Sequence, residues 1–256
     1  MTVAIILGLA MLLYLAAVLR QIHRGRRWNI WRSMSFGIGV ALLATAVYPS
    51  HHGHHTFTAH MFQHLLIGML APTFLVRAAP VSLLLRSLPP KAGKTCVRVL
   101  HSKPLRIWCH PLMAFGFNFG GMFLLYLTPL YRLSLDSAPL HLAVHLHFFA
   151  AGYLFAWALV GPDPAPARPS FRARLAILLL AMASHGIFSK LMYIHVIPQD
   201  TFHSVDDIRR GAQFMYYGGD LAEVLLAILL FNARRLRNRD KSVQRSSVSS
   251  ALANVG

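Results

Sequence analysis

Long apolar runs separated by clusters of Arg and Lys dominate the chain. A hydrocarbon core of about 30 Å takes about 20 apolar residues in a helix. Seven stretches approach that length: residues 2–19, 33–48, 57–76, 110–128, 138–160, 175–197 and 211–231. The second is short, and the third contains Pro72, whose missing N–H predicts a kink or an end near the helix's inner end. The pattern predicts an all-α fold: a polytopic membrane protein with seven transmembrane helices filling residues 1–232. Residues 233–256 read as a basic, Ser-rich cytoplasmic tail expected to be disordered.

Composition agrees, since 13% charged residues is too few for a water-soluble globule of 256 residues. The formal net charge of +17 first suggests a nucleic-acid binder. The placement of the charges removes that reading, because 21 of the 25 Lys and Arg lie on one side of seven alternating crossings. The other side has Arg132, Arg209 and Arg210 and collects Asp136, Asp200, Asp206 and Asp207. The charge therefore sets topology, with the amino terminus outside and the carboxyl terminus cytoplasmic. No Lys or Arg precedes the first apolar run, so it reads as a retained helix rather than a secretory signal. Residues 81–108 mix Leu and Val with Arg and Lys, as expected of an amphipathic hairpin on anionic lipid or of a basic loop.

Histidine placement points to chemistry. Of 15 histidines, only His23, His101 and His110 fall on the cytoplasmic side; the other twelve lie in outer loops, outer helix halves or near mid-membrane. His60 and His64 are four apart, as are His141 and His145, so each pair shares a helix face. At about 1.5 Å per residue the upper members lie about 5 Å deep and the lower about 10 Å. Deeper come His185, Asp220 and Glu223, where an ionisable group by default faces a partner or a cavity. Met61, Met122, Met192 and Met215 accompany them, and His195 closes the sixth run. Two cysteines, Cys96 and Cys109, form no metal or redox motif and neither lies on the outer side. A soft ion such as Cu(I) would depend on His and Met. The candidate metal residues are His60, Met61, His64, His141, His145, His185, His195 and Asp220, with no catalytic residue singled out.

The residues His60-Met61-Phe62-Gln63-His64, with Ala71-Pro72 and Ala79-Pro80 after them, resemble the signature of the multi-spanning CtaG family of cytochrome c oxidase (caa-type) assembly factors. The likeness continues through His141 to His147, Gly152 to Phe155, Gly161-Pro162-Asp163-Pro164, Ser184-His185 and Gln213 to Asp220. It spans about residues 30–232. The resemblance implies a multi-pass protein of the bacterial plasma (inner) membrane, without turnover of its own. Its implied role is to help copper reach a haem-copper oxidase. The implied partners are cytochrome c oxidase subunits and the lipid bilayer, with periplasmic copper chaperones, and no nucleic acid. Carried over residue by residue, it marks His60, His64, His145, His185 and Asp220.

Taken without the resemblance, the residues leave alternatives open. The run His51-His52-Gly53-His54-His55 suits a solvated loop or a metal-capturing one. The paired histidines suit interhelical hydrogen bonding, a metal site, or haem held between His64 and His145. The methionines suit core packing. Lys190 with Asp220 or Glu223 suits a buried ion pair, and with His185 a relay for ions or protons.

Overall fold

The computed structural model describes residues 2–47, 56–166, 168–199 and 201–253. The run His51 to His55 lies outside the described residues. Among them the chain is helical throughout, without a strand: α1 Thr2–His23, α2 Ile30–Val47, α3 Phe57–Leu65, a π-helical turn Leu66–Leu70, and α4 Ala71–Arg77. Then follow α5 Pro80–Ser87, α6 Pro90–Leu100, α7 Lys103–Trp108, α8 Pro111–Leu127, α9 Leu130–Asp136, α10 Ala138–Val160, α11 Phe171–His195 and α12 Val205–Ala253.

Six helices are long and apolar enough to cross a membrane. A seventh span exists if α8 and α9, which meet at 78°, are taken as one. The bend falls at Thr128-Pro129, where the Thr128 hydroxyl donates back to the Leu124 carbonyl at 2.6 Å. The amphipathic stretch 81–108 is three short helices, α5 to α7. At the other end of the chain α12 stays helical through Ala253, well past Asp240, where a disordered tail was expected.

The third span departs most from the sequence reading. Pro72 does not end the helix, and the span runs from Phe57 to Arg77. The π-helical turn absorbs the proline: the Ala71 N–H reaches the Leu66 carbonyl, five residues back, and Pro72 then stands in the first turn of α4, where no donor is needed. Pro72 lacks the N–H that an α-helix would have directed at the Gly68 carbonyl. Gly152 of α10 packs on that carbonyl, so closely that a Cβ there would sit 1.9 Å from the Gly68 oxygen. Carbonyl and Cα can approach like this only because position 152 has no Cβ.

The main core lies between α3, α8, α10, α11 and α12, with Phe57, Met61, Met122, Tyr126, Phe188 and Met192 at its centre. A smaller cluster seats α1 on α2, α4 and α5 through Tyr14, Val18, Phe36, Leu75, Ala78 and Leu83. Tyr14 stacks on Phe36 at 3.9 Å, and its hydroxyl donates to the Ala78 carbonyl at 3.0 Å. The rest of α1 presents Ile5, Leu9, Leu12 and Leu13 outward, the lipid-facing side of a spanning helix.

Two buried carboxylates fix where helices begin. Asp163, in the link after α10, accepts from the N–H groups of Val81 and Ser82 at 3.0 and 2.7 Å, capping α5. Arg168 closes the link by donating to the Asp163 carbonyl at 2.8 Å. Asp207 of α12 accepts from the N–H groups of Phe57 and Thr58 at 2.6 and 3.3 Å. Thr58 Oγ1 donates to the same carboxylate at 2.8 Å. Each places a negative charge on a helix's positive end.

Three substitutions test this scheme by thermal denaturation in detergent. Gly152→Ala forces α10 off the π-helical turn and is expected to cost at least the roughly 1–3 kcal/mol of an overpacked core. Gly116→Ala, inside α8 with open space around it, is expected to leave the midpoint unchanged or raise it, since Ala is the better helix former; a Gly152→Ala midpoint no lower than that of Gly116→Ala refutes the close-approach argument. Asp163→Ala orphans two N–H groups and is expected to lose about 1–2 kcal/mol, the range for a lost cap. An unshifted melt would refute that role.

Candidate metal centre

Fixing the start of α3 fixes the height and rotation of His60, one turn in. The Asp207 carboxylate that caps α3 also lies 3.6 Å from His203 Nδ1. His203 Nε2 in turn shares a 3.0 Å hydrogen bond with the Tyr131 hydroxyl. The Tyr131 ring stands 4.9 Å from the His60 ring, and the Tyr126 hydroxyl meets His60 Nε2 at 3.0 Å. His60 is thus buried against two tyrosines and Phe57, whose ring is 6.3 Å away.

The open side of His60 faces α10. The His145 ring is 6.1 Å from that of His60, and the His141 ring 4.3 Å from that of His145. One ring nitrogen from each of His60, His141 and His145 lies within 4.8 Å of the others. His145 Nδ1–H donates to the His141 carbonyl at 2.9 Å. That bond fixes the tautomer and leaves Nε2 with a free lone pair, as a metal-binding imidazole requires. His60 is buried while His141 and His145 are half-exposed, so the cluster is closed behind and open in front. Three neutral nitrogen donors suit Cu(I), Cu(II) or Zn(II).

The other predicted residues separate. His64, one turn below His60, packs 4.4 Å from the Phe148 ring and lines a small cavity with His185 and Glu223. Asp220 is half-buried and outside that lining. Met61 turns toward α12, its Cγ 3.3 Å from where a Cβ on Gly211 would stand. His195 is exposed at the end of α11. The expected ion pair between Lys190 and Asp220 or Glu223 is not formed: Lys190 is exposed and its Nζ stands 5.3 Å from the Tyr216 ring centroid. His147, two residues past His145, faces α8 and donates from Nε2 to the Phe117 carbonyl at 3.1 Å. Neither cysteine joins the cluster, and burial raises the pKa of Cys109, which works against a thiolate.

Tyr126, Tyr131, His203 and Asp207 complete the surroundings of His60, and sequence spacing did not single them out. The available signal was chemical: a tyrosine buried in an apolar helix needs a partner for its hydroxyl, and two lie on either side of the α8–α9 bend.

No solved structure matches the chain. Curated mycobacterial proteins do: it is 33% identical over 184 residues to the uncharacterized protein Mb0105 of Mycobacterium bovis and to MT0111 of Mycobacterium tuberculosis. It is 31% identical over 194 residues to ML1998 of Mycobacterium leprae. These alignments take in 67% to 72% of this chain but only 27% to 29% of the relatives. The chain thus spans little more than a quarter of their length. The family described as cytochrome c oxidase caa3 assembly factor, Caa3_CtaG, matches residues 12–236 and so covers the paired histidines, both capping carboxylates and the cavity. With that match over most of its length, the chain belongs to the Caa3_CtaG family.

Proposed function

We propose that this protein assists assembly of a haem-copper cytochrome c oxidase by holding copper, as cargo, on His60, His141 and His145. The observation that carries the reading is the convergence of three imidazole nitrogens from two helices within 4.8 Å. Family membership supplies the oxidase. Copper suits a set without thiolates, because imidazole binds it above most divalent competitors. Haem fits less well, because Phe148 at 4.4 Å and Tyr126 at 6.4 Å crowd the His64 ring where a porphyrin would lie. The role is non-catalytic: the ion arrives, is held and is passed on, and the two half-exposed histidines leave a side for exchange.

In this reading the protein sits in the bacterial plasma membrane with its amino terminus outside, so the three-histidine cluster faces the periplasm. Its partners are oxidase subunits and, upstream, periplasmic copper chaperones. The excess of Arg and Lys at the opposite ends of the spans supports that orientation.

Copper analysis of the purified protein tests the reading. The wild type is expected to hold copper, and His60→Ala/His141→Ala to lose the ion bound at the cluster, while His195→Ala retains it. In cells, the double variant should fail to restore oxidase activity to a deletion strain at limiting copper, and added copper should rescue it. Absence of bound copper from the wild type, or full restoration by the double variant, would contradict the proposal.

A further inference from the structure

Below the three-histidine cluster the helices enclose a second set of donors. The cavity between the π-helical turn, α4, α8, α10, α11 and α12 is lined by His64, Met69, Thr73, Asn118, Met122, His185 and Glu223, among apolar neighbours. His185 is 2% exposed and Glu223 1%. Neither ring nitrogen of His185 and neither carboxylate oxygen of Glu223 has a hydrogen-bond partner. Four orphaned polar atoms in one apolar enclosure are costly unless something binds there. Glu223 is the sole glutamate in the chain.

The surroundings hold this arrangement in place. A Cβ on Gly219 of α12 would fall 1.7 Å from His185 Cε1, so the imidazole lies directly on the α12 backbone one turn before Glu223. The His185 carbonyl is tied by Ser189 Oγ at 2.9 Å, and Phe119 stands edge-on at 6.4 Å. The cavity therefore keeps two imidazoles, two thioethers and one carboxylate around a space the size of a small ion or one water.

From this geometry we infer that the cavity is a second cation site, selective for a soft monovalent ion, Cu(I) in the cell. This extends the copper reading to a second position. The donors decide the class: thioether with imidazole favours Cu(I) over harder divalent ions. Charge decides the valence. One carboxylate neutralises one positive charge, whereas a divalent ion would leave net charge in the apolar interior. His64 lies between the two positions. It follows His60 by one turn on α3, and its ring is 6.4 Å from Tyr126, whose hydroxyl holds His60.

Stoichiometric titration of the full chain in detergent with Cu(I), buffered by a chromophoric chelator, and with Ag(I) as an air-stable probe, tests the inference. The wild type is expected to bind two ions, and X-ray absorption of the doubly loaded protein to include sulfur scatterers. Met69→Leu/Met122→Leu should bind one ion without sulfur, and Glu223→Gln should weaken the second ion by about tenfold or more, as when a supporting ligand is lost. His60→Ala/His141→Ala should keep the sulfur-ligated ion. A single ion lost with His60 and His141 and untouched by the methionine pair would overturn the second site and leave the first standing. A single ion lost with the methionine pair alone would overturn the first and uphold the second. No ion in the wild type would end both. Should the methionine variant not fold, the spectrum of the doubly loaded wild type decides, and one without sulfur overturns the inference.

Discussion

The contact of Gly152 on the Gly68 carbonyl sets the positions of everything above and below it. In an apolar medium a backbone carbonyl must find a partner within the protein. Pro72 takes away the N–H that Gly68 would have used, and the π-helical turn points its carbonyl at α10. From that crossing the register of two parallel helices follows by counting turns. One turn up, His64 meets Phe148; two turns up, His60 meets His145, with His141 a turn beyond. The cavity with His185 and Glu223 opens at the crossing itself. Proline, π-helical turn and the bare Cα of Gly152 thus convert a local backbone defect into the alignment of donors on different helices.

Much of this was legible in the chain. Apolar run length located the spans, and the four-residue spacing of His60 with His64 and of His141 with His145 correctly gave each pair one face. The order of the donors along each helix was legible too, since it follows from rise per residue. The register between helices was not. Equal depths suggested His60 with His141 in one layer and His64 with His145 in another, but α10 is offset along its axis so that His145 meets His60, His141 lies beyond it and His64 looks into the cavity. Periodicity along one helix has no information about how a neighbouring helix is placed against it, and that placement rests on the close approach that Gly152 permits at the crossing. Pro72 was read as a break for a similar reason: its own donor is missing whatever its neighbours do, but the compensation lay five residues earlier, in a turn that sequence does not mark.

Scarcity of negative charge makes each carboxylate informative. Eight acidic residues face 25 basic ones, and two of the eight cap helices where a spanning segment begins or has just ended. Asp163 ties the α10–α11 link to α5, and Asp207 ties α12 to α3. The second does more than cap. Through His203 and Tyr131 it continues to the wall of the His60 site, so the charge that starts α3 also braces the ring against which His60 packs. Lys190 would have been the natural partner for Glu223, and its exposure leaves that carboxylate for the cavity.

The two donor sets differ as their surroundings require. At the half-exposed cluster, water and neighbouring dipoles can compensate a bound cation, so three neutral imidazoles suffice and no acid is needed. Around His185 and Glu223 the lining is apolar apart from Thr73, Asn118 and the donors themselves, and a cation there must bring or meet its counter-charge. The sequence places its one glutamate at that depth and gives it neither lysine nor arginine. An ion moving inward would exchange solvent compensation for carboxylate compensation, with His64 between the two environments. That gradient of donor type, neutral nitrogen outside and thioether with carboxylate inside, favours a monovalent ion over a divalent one at the inner position.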